Sequence, residues 1–264
     1  MNKSHWGELQ QGWERLKPPL RPNQEVTAAV SQAVAAQRDR ILLLGVTPEL
    51  ADIGSETIAV DRSADMIAHI WPGNTARRRA IKANWLALPL PAHSISATIG
   101  DGSLNILRYP HGYRTLFQQL VKILQPGGRI VIRLYQTPDR GEPLAQVRRR
   151  VLGREIGSFH AFKWHFAMAI VAARGDPNLE VARIHEVFVH EFPDRATLAR
   201  ATGWPHADID MIDLYRGSSE IYSFPTAAQL AAVVPDFFTA PQFLASGTYE
   251  LAERCPLVVL DLRE

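Results

Sequence analysis

Four places in this 264-residue chain combine ligand-competent residue types with a buried-strand pattern just ahead of them. Gly45-Val46-Thr47 follows Ile41-Leu42-Leu43-Leu44. Asp61 closes Thr57-Ile58-Ala59-Val60 and is followed by Arg62, Ser63 and Met66. Asn84-Trp85 lies near an expected third strand. Gly100-Asp101 closes Ile95 to Ile99. A carboxylate at the end of a buried strand, such as Asp61, can accept both hydroxyls of a ribose. It can also cap the helix expected after it. The flanking strand and loop fit the ribose reading. The loop after Leu44 limits what that ribose carries. Pyrophosphate needs bare backbone amides at a G-x-G-x-x-G turn. Here Thr47 can cap a helix, Pro48 has no N–H to give, and Glu49 repels phosphate. The loop therefore suits adenosine without phosphate.

The elements that position these residues alternate. Apolar runs at 41–44, 57–60, 95–99 and 129–134 read as strands buried on both faces, the last opened by the turn Pro126-Gly127-Gly128. Helical patterns at 48–53, 64–70 and 113–124 lie between them, which predicts a parallel sheet covered by helices, an α/β fold. Ligands bind such sheets outside the carboxyl ends of the strands, where the strand order reverses. Residues 1–39 read as a polar helical segment. Its Trp6, Leu9 and Trp13 fall at helical spacing and either pack on the body or form part of a lid.

Composition narrows the function classes. Net charge is +2, from 29 basic and 27 acidic residues, so no strong basic field draws the chain to nucleic acid or a membrane surface. One cysteine excludes an intrachain disulfide and a cysteine zinc cluster. No run of 18 apolar residues and no apolar leader are present, so a cytoplasmic protein is expected.

Residues 41–45, Val60-Asp61-Arg62-Ser63 with Met66-Ile67, Asn84-Trp85 with Leu88-Pro89-Leu90-Pro91, and above all Leu120 to Ile132 (LVKILQPGGRIVI) resemble the class I S-adenosylmethionine-dependent methyltransferases. The match in order and spacing covers about residues 40–135. The resemblance implies a Rossmann-like sheet of order 3-2-1-4-5-7-6 with strand 7 antiparallel, and S-adenosylmethionine as cofactor. Carried residue by residue, it implies a cofactor site at Gly45, Val46, Thr47, Asp61, Arg62, Met66, Asn84, Trp85, Gly100 and Asp101. The chain departs from the family at the first motif. Leu43, Thr47 and Glu49 stand where the family usually has an acidic residue and two further glycines. Asn84 replaces a common acidic residue, although its amide can accept from an adenine amino group. Trp85 either covers that ring or is a core residue. Asp101 has three readings: a base, a partner for the cofactor's methionine ammonium, or a turn cap.

Residues 137–222 interrupt the alternation and are expected to be an inserted, mainly helical cap between core segments 40–136 and 223–264. Residues 242–251 and 255–262 are expected to be two closing strands, and Leu179 to Phe192 fits helix or strand. The stripe Phe159, Phe162, Phe166 is expected to pack over the carboxyl ends of the strands, so that His160, Lys163, Tyr215 or Arg216 face a substrate cavity. The alternative is a homodimer face. Tyr109 and His111, after the fourth strand, and Tyr215 and Arg216 are the substrate candidates, for a small-molecule acceptor. Gly100-Asp101-Gly102-Ser103 lacks the Asn/Asp-Pro-Pro-aromatic motif that resembles enzymes methylating bases or glutamine. His160/His165 and His185/His190 miss the spacing of a helical metal pair, and no metal is expected. Besides the enzyme, the sequence allows a methyltransferase-fold binding or partner protein without catalysis.

Overall fold

A computed structural model describes residues 10–263; Trp6 and Leu9 lie outside the described residues. Five parallel strands form first: β1 (Arg40–Leu44), β2 (Glu56–Asp61), β3 (Arg78–Lys82), β4 (Ile95–Asp101) and β5 (Leu124–Arg133). Helices α1 (Gln24–Ala33), α2 (Ala64–His69) and α3 (His111–Ile123) accompany them. Alternation along β1 divides the core. Leu42 and Leu44 face Tyr113, Leu116, Phe117 and Leu120 of α3, which recur at helical spacing. Ile41 and Leu43 face Val26, Val30 and Ala33 of α1 on the other side. Each fully buried Leu or Phe in these layers contributes roughly 1.5–3 kcal/mol relative to an exposed one.

Local signals set the starts of these helices. Asn23 accepts from the Val26 amide at 3.1 Å to open α1, and Ser63 accepts from Met66 at 3.2 Å to open α2. The Pro126-Gly127-Gly128 segment differs from expectation. Leu124 already pairs with Ile95, and pairing resumes at Arg129 with Ala97, so these residues bulge within one strand, with Gly127 at φ +71°. The helix expected at 48–53 is only a 3-10 turn, Pro48–Leu50, and the Thr47 side chain makes no capping bond.

The chain leaves β5 for helices α4 (Leu144–Leu152), α5 (Phe159–Arg174), α6 (Val181–Glu191), α7 (Arg195–Thr202) and α8 (His206–Asp210). Residues 179–192 resolve into the end of strand β6 (Asn178–Glu180) and then α6. β6 pairs antiparallel with β7 (Ile221–Ser223) as a separate small sheet. A capping box of Thr226 and Gln229 opens α9 (Ala227–Ala231). Of the two closing segments, 242–251 is strand only at β8 (Gln242–Leu244), because Gly247 and Leu251 take positive φ; β9 (Leu257–Asp261) is full length. β9 runs antiparallel to both β5 and β8. The sheet order is β3-β2-β1-β4-β5-β9-β8. With β6 and β7 outside it, this is 3-2-1-4-5-7-6 with the seventh strand antiparallel.

The aromatic stripe of α5 does not lie over the strand ends. Phe159, Phe162 and Phe166 pack on Phe188, and the last two on Phe192, with centroids 5.6–6.3 Å apart; the first two also meet Trp204. The insertion thus has its own core, and the stripe is its centre.

Candidate functional site

At the carboxyl ends of β1 and β2 the chain turns sharply. Gly45 takes φ +101°, and its amide donates to the Val60 carbonyl at 2.9 Å. A Cβ added there would lie 3.9 Å from the Trp85 ring and 4.0 Å from an Asp61 carboxylate oxygen. Three of the four sequence-level places therefore meet at one point. Trp85 is fixed by its indole N–H, which donates to Val60 O at 2.5 Å. Asp61 accepts the Ser63 amide at 2.8 Å. It supports the turn into α2, while Ser63 does the capping. Burial raises the Asp61 pKa, opposed by the Ser63 amide and the Arg62 charge. Asn84 is exposed and caps the short turn after it, accepting from Leu86 at 3.0 Å.

Two cavities adjoin this point. One, of about 230 Å³, is lined by Asp61, Arg62, Asn84, Trp85 and Ile106, among others. The other, of about 130 Å³, shares Asp61, Trp85 and Ile106 and adds Gly45, Val46, Thr47, Met66 and Asp101 from the strand ends. Ser103, Asn105 and Tyr135 of the core also line it, and two further parts of the chain close it. Trp13, Leu16 and Leu20 belong to the N-terminal segment, and Lys163, Trp164, Tyr215 and Tyr222 to the insertion.

Asp101 is already committed. Its carboxylate takes both the Nε and Nη2 of Arg133, the second at 2.9 Å, and both side chains are buried. The two residues are register partners on β4 and β5. Burial pushes Asp101 up and works against the Arg133 charge; the pair offsets this, and Arg133 stays well above its ordinary value. Arg133 also donates to Tyr249 Oη at 2.9 Å and to Pro19 O at 2.8 Å, and Tyr135 Oη donates to Pro19 O at 2.9 Å. This network holds residues 13–20 over the strand ends. The signal was available: an arginine closing an apolar strand needs a buried anion, and Asp101 is the acid at the end of the strand beside it. Asn105 is likewise structural, donating to Tyr135 O at 2.7 Å and Ser223 O at 2.6 Å.

Three of the four substrate candidates lie elsewhere. Tyr109 donates to Gln229 O at 3.0 Å, and its backbone binds Asn178. His111 is exposed at the start of α3, and Arg216 is exposed beside Asp213. Tyr215 alone lines the cavity. His160 is buried but is not in the wall. Tyr109, expected at a pocket from its place after strand 4, is held instead at the start of β6 through the Asn178 side chain. Lys163, on α5, lines the cavity as expected, whereas Trp164 beside it was not singled out because the phenylalanine stripe dominated the helical pattern. No group of three potential metal ligands occurs among the described residues. Asp210 and Asp213 are bound by Arg195, and Asp213 also by His185. No described helix is long and apolar enough to cross a membrane.

No protein-family model and no curated protein matches the chain. Solved structures do. N-methyltransferase NodS from Bradyrhizobium japonicum, in complex with S-adenosyl-L-homocysteine, is 12% identical over 100% of both chains, with a TM-score of 0.52. The S-adenosylmethionine-dependent methyltransferase SibL is 15% identical over 96% of this chain, with a TM-score of 0.53; only 57% of its own length is covered. A protein from Rhodobacter sphaeroides titled as a putative Zn-dependent alcohol dehydrogenase is 13% identical over 100% of both chains, with a TM-score of 0.59. At such identities the shared property is the fold. Sheet order, antiparallel β9 and the two methyltransferase neighbours give the chain the class I S-adenosylmethionine-dependent methyltransferase fold.

Proposed function

We propose that this protein transfers a methyl group from S-adenosylmethionine to a small molecule enclosed between the strand ends and the insertion. The observation that carries the reading is the convergence of Gly45, Asp61 and Trp85 on two adjoining cavities at the carboxyl ends of β1 and β2. Asp61 would take the ribose hydroxyls. Asn84 and Trp85 would border the adenine, and Gly45, Val46 and Thr47 would border the methionine part. Buried atoms without partners at the wall of the smaller cavity, Ser103 Oγ and Trp13 Nε1, fit a polar group there. The cofactor supplies an activated sulfonium methyl, so the chain has chiefly to align the acceptor and exclude water. The insertion and residues 13–20 do the excluding, which is the cap role proposed for 137–222.

The test is ligand-induced stabilisation. S-adenosylmethionine or S-adenosylhomocysteine at about 100 times Kd should stabilise the protein by about 2.7 kcal/mol, a melting shift of roughly 5–10 °C at this size. NAD should give none. A second reading, a binding or partner protein without catalysis, is favoured by the altered loop Gly45-Val46-Thr47-Pro48-Glu49. Folded protein that shifts with neither adenosyl ligand would select it.

A further inference from the structure

Helix α5 turns two neighbouring side chains, Lys163 and Trp164, toward the smaller cavity. Lys163 is 2% exposed. Among the described residues no ion pair to it is found, and Asp208 acts on it only through its charge. Its ammonium instead lies over two rings, 5.3 Å from the Tyr215 centroid and 5.9 Å from that of Phe159. The Trp164 indole N–H is buried and makes no hydrogen bond, while the ring packs on Tyr135, Tyr222 and Phe224. Ser103 Oγ and the Trp13 indole N–H, at the same cavity, are also buried without partners. An indole N–H and an ammonium can only donate. Of the two acids in the wall, Asp101 is spent on Arg133 and Asp61 is assigned to the ribose in the proposed function, so the cation and these donors are left without an anionic acceptor of their own.

The geometry points to a binding site for the carboxylate of a small planar acid, gripped by Lys163 Nζ and Trp164 Nε1, with Tyr135, Tyr215 and Tyr222 as the flat walls around its ring. The inference rests on the proposed function, in which that acid is the methyl acceptor. The volume supports a small ligand: about 130 Å³ is far below the roughly 300–1,000 Å³ of pockets for drug-sized molecules. The amino-acid carboxylate of the cofactor has the same chemistry. The acceptor is favoured because Lys163 and Trp164 belong to the insertion, whereas the proposed cofactor contacts come from the loops after β1, β2 and β3.

The experiment is calorimetry on the full chain with and without saturating S-adenosylhomocysteine. The probes are benzoate, phenylacetate and indole-3-acetate, each against its neutral amide. At least one acid should bind wild type tenfold or more tighter than its amide. Lys163→Met should erase the preference, Lys163→Arg should keep most of it, and Trp164→Phe should reduce it about threefold. If all three acids bind no tighter than their amides, or if the preference survives Lys163→Met, the inference falls. S-adenosylhomocysteine and 5′-methylthioadenosine, which lacks the amino-acid part, separate the two sources. If Lys163→Met weakens only the former tenfold, the carboxylate is the cofactor's and the acceptor assignment falls. Unchanged binding of 5′-methylthioadenosine also shows that the variant is folded. If wild type fails to bind S-adenosylhomocysteine yet discriminates acid from amide, the proposed methyl transfer falls while the carboxylate site stands.

Discussion

Arg133 and Lys163 are both fully buried cations: Lys163, from the insertion, lines the smaller cavity, and Arg133, from the sheet, is bonded to two of its wall residues, Asp101 and Tyr135. Around Arg133 each guanidinium nitrogen has an acceptor: Asp101 at Nε and Nη2, Tyr249 at Nη1, and Tyr135 and the Pro19 carbonyl at Nη2. Around Lys163 stand aromatic rings and no carboxylate close enough to pair among the described residues. Burying a charge is costly in both places. The sheet offsets that cost internally and gains a tether for the N-terminal segment. The insertion leaves it open, which serves a ligand better than it serves stability.

Breaking the compensated pair should give the largest effect. Arg133→Met strands the Asp101 carboxylate in the core and releases Pro19, and should cost about 3–5 kcal/mol in denaturant unfolding. Adding Asp101→Asn should restore most of that, because a neutral amide tolerates burial better. A loss under about 1 kcal/mol for the single variant would show that the pair is solvated in solution and that the contrast with Lys163 is false.

The same contrast holds for the two acids at the strand ends. Asp101 is held by a guanidinium, whereas Asp61 is held by backbone amides and faces both cavities. Asp61→Ala should therefore leave unfolding nearly unchanged and weaken S-adenosylhomocysteine by about 1.5–3 kcal/mol, the range for a hydrogen bond to a charged group. Equal affinities by calorimetry would remove Asp61 from the site.

Lys163→Met tests the uncompensated cation directly. Burial lowers the Lys163 pKa to about 7, against about 10.5 in the unfolded chain. Between those values the unfolded state binds more protons, so this residue makes stability fall as pH drops from 10.5 toward 7, with no further change below. The variant should be more stable than wild type at pH 7, by about 1–3 kcal/mol. Its advantage should shrink as pH rises toward 10.5. An advantage that does not depend on pH would mean the lysine is charged in both states.

How much of this was legible depended on whether the signal was local. Strand runs such as Ile41–Leu44 and Ile95–Ile99 carry their own burial pattern, so the sheet and the residues at its carboxyl ends could be read in sequence. The Gly45, Asp61 and Trp85 cluster followed from those ends. Pairings between distant segments could not be read the same way. Pro19 under Arg133, and the Ser223 carbonyl on Asn105 with its hydroxyl at Tyr113, depend on tertiary register alone. The insertion misled for a different reason. In α5 nearly every face is buried, so the phenylalanine stripe, expected over the strand ends, marked the insertion's own core instead; Lys163 reaches the cavity as expected, but Trp164 beside it carried no separate signal.

The smallest effect is expected from the insertion's buried histidines. Burial, the largest influence, lowers both His160 and His165 to about 4. Lys163 adds to the shift at His160 and Arg150 at His165; Asp208 opposes the first and Glu253 the second. The unfolded value is about 6.5. Between pH 6.5 and 4 the unfolded chain binds more protons than the native one, so stability is present above pH 6.5 and is lost as pH falls through that window. Each histidine should account for about 1–2 kcal/mol of the loss, after allowance for water reaching the partly buried rings. Arg133 stays charged throughout, so its tether should persist, and the insertion should loosen before the sheet does. Hydrogen exchange at pH 5 should show α5 and α6 opening at lower free energy than β4 and β5. His165→Gln should remove about half of the acid sensitivity. Uniform loss of protection across both regions would show that the insertion and the sheet open as one unit, and that the unpaired charge on α5 has no local consequence.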